Sequence, residues 1–90
     1  MVNRLDVQVV DGYHRSALFE INNGKLTAHV DNMSVTLRVA QVVMMGAQGR
    51  LTVNAFNRDN DAITIMVLNG EYNAIVDFFE SHDITVLDAS

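Results

Sequence analysis

Apolar residues recur at every second position through most of this chain. Leu5, Val7 and Val9 alternate with mostly polar neighbours, as do Ala17, Phe19 and Ile21, and then Leu26, Ala28 and Val30. Met33, Val35, Leu37 and Val39 continue the pattern, and Leu51, Val53, Ala55 and Ile63, Ile65, Val67 supply two further sets. A period of two marks strands with one buried and one wet face.

The turns between these sets test the register. Asn23-Gly24 suits a two-residue type I′ turn, in which both central residues take positive φ. It sets Ile21 opposite Leu26, Phe19 opposite Ala28, and Ala17 opposite Val30. Asp31-Asn32, as the next tight turn, sets Val30 opposite Met33, Ala28 opposite Val35, and Leu26 opposite Leu37. Every pair is apolar and all share one face, so a slip of one residue would spoil both hairpins. For the first hairpin, a three-residue loop Val10-Asp11-Gly12 pairs Val9 with Tyr13 and Leu5 with Ala17. Gly12 then takes the left-handed bulge position, and Arg15 turns inward opposite Val7.

After Val39 the stretch Ala40-Gln41-Val42-Val43-Met44-Met45 is apolar on both parities, as in a strand that bends from one sheet into another. Gly46-Ala47-Gln48-Gly49 and Arg58-Asp59-Asn60-Asp61 read as turns. At Asn69 the period changes. Tyr72, Ile75, Val76 and Phe79 fall at helical spacing, predicting an amphipathic helix of about three turns. Asn69 is its expected N-cap, and its end lies near His82-Asp83. Ile84-Thr85-Val86-Leu87 reads as a short last strand or a packed tail.

These elements predict one α+β domain over residues 1–90. It is mostly antiparallel β, with six or seven strands in a meander, small barrel or two-sheet sandwich, and one C-terminal amphipathic helix. The stretch from Gly24-Lys25-Leu26 through Val35-Thr36-Leu37-Arg38-Val39 to the helix at 71–81 resembles the pleckstrin-homology superfold, including its GRAM-like bacterial versions. The basic cluster that holds phosphoinositides in some members would sit in the first hairpin. This chain has only His14 and Arg15 there, so the resemblance does not imply lipid binding.

Composition narrows the classes further. With 49% hydrophobic and 19% charged residues, the chain has the apolar content of a folded domain. The absence of cysteine excludes a disulfide framework, thiolate zinc sites and cysteine nucleophiles. The net charge of −5 is uneven: residues 1–50 sum to +1, whereas residues 51–90 carry only Arg58 against seven acids. Sparse, scattered basic residues argue against nucleic acid or an anionic membrane as partner. The apolar run Val42–Met45 is far too short to span a bilayer, and Met1–Asp6 alternates where a signal peptide needs an unbroken apolar stretch. A cytoplasmic location is the expectation.

Candidate chemistry is thin. His14, His29 and His82 lack short ligand spacing, and Asp59-Asn60-Asp61 lacks the glycine and closing glutamate of a calcium loop. No metal and no cofactor is implied. In the predicted register His29 faces Ser34, which sketches a base beside a nucleophile, but an open sheet face offers neither pocket nor oxyanion site. No enzyme activity is expected. His14 and Arg15 are candidates for holding an anionic metabolite or nucleotide. Asp77, Glu80, Asp83 and Asp88 are candidates for an acidic face that mimics nucleic acid.

The surplus apolar residues are more informative. Leu18, Val43, Phe56, Met66 and Phe78 fall on faces that the alternation assigns to solvent, or at the margin of the helix stripe. Met44-Met45 would suit an adaptable contact surface. The chain also has no proline and few lysines with which to blunt edge strands. These seven residues predict a binding or assembly module whose partner is a second copy of itself or another protein.

Overall fold

The computed structural model describes residues 3–10 and 16–89. Its strands are β1 (Arg4–Gln8), β2 (Ser16–Asn22), β3 (Lys25–Val30), β4 (Met33–Arg38), β5 (Gln41–Ala47), β6 (Arg50–Phe56), β7 (Ala62–Leu68) and β8 (Thr85–Asp88). A single 3-10 turn, Asn69–Glu71, leads into helix α1 (Tyr72–Glu80). The strands form two four-stranded sheets, sheet A in the order β1-β2-β3-β4 and sheet B in the order β7-β6-β5-β8. Neighbours are antiparallel except β5 and β8, which are parallel. The class is α+β, and the sheets do not close into a barrel.

The central meander has the register that its turns specify. Phe19 pairs with Ala28 and Ile21 with Leu26, while Ala28 pairs with Val35 and Leu26 with Leu37. Asn23 and Gly24 both take positive φ, at 53° and 78°, as a type I′ turn requires. In the second turn Asp31 takes positive φ, at 54°, and Asn32 does not, so this turn differs from the first. Phe19, Ile21, Leu26 and Ala28 are buried, but β4 is the edge of its sheet. Its core-side residues overhang the interior, so Val35 remains 49% exposed and Met33 71%.

The first hairpin departs from expectation by two residues. Leu5 pairs with Phe19 and Val7 with Ala17. A shift of two preserves the alternation, so the pattern alone does not separate the registers. What decides it is the fate of the next residues. Val9 bridges Val67 of sheet B, and the Val10 N–H donates to Met66 O at 3.0 Å. β1 therefore leaves β2 after Gln8 to join the two sheets at one edge. Val7 faces Ala17 rather than Arg15, which with His14 lies outside the described residues.

The expected bent strand is two strands, which brings the count among the described residues to eight. The division falls between adjacent amides: Val39 N–H donates to Gly24 O at 3.2 Å, and Ala40 N–H donates to Phe56 O at 2.8 Å. One peptide unit thus serves sheet A and the next serves sheet B.

The helix is shorter than its periodicity suggests. The 3-10 turn occupies Asn69–Glu71, and the N-cap of α1 is Glu71, without a side-chain capping bond. At the other end Asp83 takes φ 60°, its N–H donates to Glu80 O at 3.0 Å, and the Ile84 N–H donates to Phe79 O at 3.1 Å. This pair of bonds is a Schellman ending, and it folds the apolar Ile84 back under the helix. Ile75, Phe78 and Phe79 are buried on the inner side of α1. They complete a core that includes Phe19, Ile21 and Leu26 from sheet A and Val42, Met44, Leu51, Val53 and Val67 from sheet B. Burial of each large side chain stabilises the fold by roughly 1.5–3 kcal/mol before ordering costs are counted.

Candidate functional site

In sheet B the inward positions Val42, Met44, Leu51, Val53, Ala55, Ile63 and Val67 are all buried. Paired residues share a face, so the register fixes what the outer face carries. Met45, Thr52 and Met66 form one cross-strand row, and Leu87, Val43, Asn54 and Thr64 the next. Thr85, Gln41, Phe56 and Ala62 form a third, and Arg50 beside Leu68 closes one end. Met45, Met66, Leu68 and Leu87 are between 43% and 49% exposed, and Val43 and Phe56 are half-buried. Arg50, at the end, is the one charged residue in these rows.

The polar centre of this face is internally satisfied. Thr64 Oγ1 donates to Asn54 Oδ1 at 2.9 Å, and Asn54 Nδ2 donates to Val43 O at 3.5 Å. Covering the face would leave these Asn54 groups partnered, which removes a penalty of about 1–3 kcal/mol for each group otherwise stranded.

The structure thus gathers Val43, Met45, Phe56 and Met66 on one surface and adds Leu68 and Leu87, which the sequence pattern does not single out. It corrects two of the expected surface residues. Met44 lies on the inner face of β5 and is fully buried, because its pair Val53 is an inward residue. Phe78 is buried against Phe79, edge-on at a centroid separation of 5.3 Å, rather than turned to the margin of the helix. Leu18 is half-buried on the outer face of sheet A, between Asp6 and His29, away from the other apolar residues.

That outer face of sheet A holds the predicted His29–Ser34 pair. His29 Nδ1 lies 2.7 Å from Ser34 Oγ, and its Nε2 lies 3.0 Å from Glu20 Oε1. With the ring proton on Nε2, Nδ1 accepts from the serine hydroxyl, and three residues from adjacent strands form a hydrogen-bonded chain. Beside it, Thr27 and Thr36 hydroxyls are bonded at 3.0 Å. The chain runs across an open strand face and reads as a cross-strand polar ladder.

Comparisons with family models, curated proteins and solved structures return no match to this chain. Among the described residues, no group of three or more His, Asp or Glu is placed to hold a metal ion. No described helix is long and apolar enough to cross a membrane.

Of the acidic candidates, Asp77 and Glu80 lie exposed on α1, Asp83 in the turn that follows it, and Asp88 on β8. Asp88 Oδ2 accepts from Tyr72 Oη at 3.0 Å. This hydrogen bond, then burial and the nearby carboxylate charges of Asp88 and Glu80, raise the Tyr72 hydroxyl above its ordinary range.

Proposed function

We propose that this chain is a non-catalytic assembly module that associates with a second copy of itself through the outer face of sheet B. The observation that carries the reading is the convergence of Val43, Met45, Phe56, Met66, Leu68 and Leu87 on one strand face with a single charge at its end. A chain of net charge −5 repels its own copies wherever acids meet. Two such chains can approach without that repulsion over a face that carries no acid. Methionine side chains repack at little cost, which suits a contact between identical surfaces. We take the pleckstrin-homology-like order of elements as a scaffold for this surface, since one superfold serves many functions.

Sedimentation velocity over a range of protein concentrations tests the reading. The expected result is a shift from monomer to dimer that is lost in Met45→Glu and in Met66→Glu. Both residues are exposed, so circular dichroism should report unchanged folding in either variant. A wild-type protein that stays monomeric throughout the range overturns the proposal.

A further inference from the structure

Beside the face assigned to assembly lies a cleft of about 590 Å³ where β4 passes into β5. Gly24, Arg38 and Ala40 line one side, and Asn57, Arg58 and Asp59 the other. Two of the chain's six basic residues therefore meet at one depression. Arg38 arrives from the end of β4 and is held there, its Nη1 donating to Asn23 O at 3.1 Å. Gly24 leaves it room: a Cβ at this position would stand 3.3 Å from the same Nη1, on a backbone at φ 78°.

Arg58 arrives on a braced turn. Asn57 Oδ1 accepts the N–H groups of Asp59 and Asp61, both at 2.9 Å, and Asn57 Nδ2 donates to Asp61 Oδ2 at 3.2 Å. The Arg58 guanidinium has no hydrogen-bond or ion-pair partner among the described residues. A second depression of about 380 Å³ shares Ala40, Asn57 and Arg58 with the cleft and continues over Val43 and Phe56. The groove has a cationic end and an apolar, aromatic end. The apolar end borders the face assigned to self-association, so a bound ligand and a second copy compete for Phe56.

We propose that this groove binds a small organic anion. Its carboxylate or phosphate oxygens lie between Arg38 and Arg58, and its uncharged body lies toward Phe56. Guanidinium groups present planar, paired donors that match both kinds of oxyanion. The groove lies within the size range of small-ligand sites. Asp59 on the same cleft opposes a second negative charge, so a singly charged group is favoured.

Three probes separate the sources of the oxyanion: benzoate, phenyl phosphate and inorganic phosphate, each titrated into the intact chain while backbone and arginine side-chain NMR signals are followed. Benzoate is expected to shift Arg38, Arg58 and Phe56 together and to bind more tightly than phenyl phosphate, which is mostly doubly charged at neutral pH, or inorganic phosphate. Arg58→Gln should weaken that binding about tenfold, the effect of one charge-assisted contact. Arg4→Gln, on β1 at the opposite edge of sheet A from β4, removes the same charge and should leave the affinity unchanged. Asp59→Asn should tighten it. The proposal falls if none of the probes moves the Arg38 or Arg58 signals, or if Arg4→Gln weakens binding as much as Arg58→Gln.

Discussion

The ring of Phe79 stands 6.0 Å, centroid to centroid, from the ring of Phe19 and tilts 44° to it. One ring belongs to the helix and the other to the centre of sheet A, so this pair fixes α1 against the meander. Both are buried almost completely. Phe79→Ala should lower the unfolding free energy by about 3–5 kcal/mol, a large share of what a small domain possesses. Urea denaturation measures it. An unchanged midpoint would mean that the helix does not brace the sheets.

Asp83 closes the helix in a left-handed conformation that glycine adopts without a Cβ clash. Asp83→Gly should therefore stabilise the protein by about 0.5–1 kcal/mol, after allowance for the greater freedom of glycine in the unfolded chain. Thermal melting distinguishes this from destabilisation, which would show that the aspartate side chain holds the turn by contacts of its own.

The Tyr72–Asp88 link gives a pH dependence of definite sign. The folded-state hydroxyl titrates above its unfolded value of 10.0, so the folded protein keeps the proton that the unfolded chain loses. The contribution is complete below that value and disappears as pH rises through the folded one. Phenolate absorbance should show a late-titrating tyrosine that is absent in Tyr72→Phe, and the variant should lose less stability than the wild type across this alkaline window.

At the edge of sheet A, β4 presents Met33 and Val35 to solvent without proline or inward charge to guard them. Val35→Lys should change stability by no more than about 0.5 kcal/mol, as an exposed edge substitution, while reducing aggregation on heating. Light scattering during a thermal ramp reads the second effect. The same variant should leave dimerisation through sheet B intact, which separates the two surfaces.

The meander of β2, β3 and β4 is legible in the sequence because turn chemistry and apolar spacing constrain the same register independently. The first hairpin is not, since two registers differing by two residues bury the same side chains. The Val9–Val67 bridge that chooses between them is a long-range contact. Between Ala40 and Met45 both parities are apolar, so the pattern exposes that a strand changes sheets but not which of Met44 and Met45 faces inward. Met45, Val43, Phe56 and Met66 stand out as residues that the alternation leaves over. Leu87 does not, because its orientation is set only by pairing with Val43, a residue far away in the chain.

β8 returns beside β5 only after the helix has been laid down, and it does so in parallel. Until α1 has docked, β5 has a ladder partner on one flank only, and its other flank offers free amides and carbonyls to any extended segment nearby. Joining β8 to β5 closes a long loop, which costs chain entropy that the tight hairpins of the meander do not. The flank of β5 that β8 covers is therefore the place where, if β8 detaches, a strand of a neighbouring molecule can take its seat.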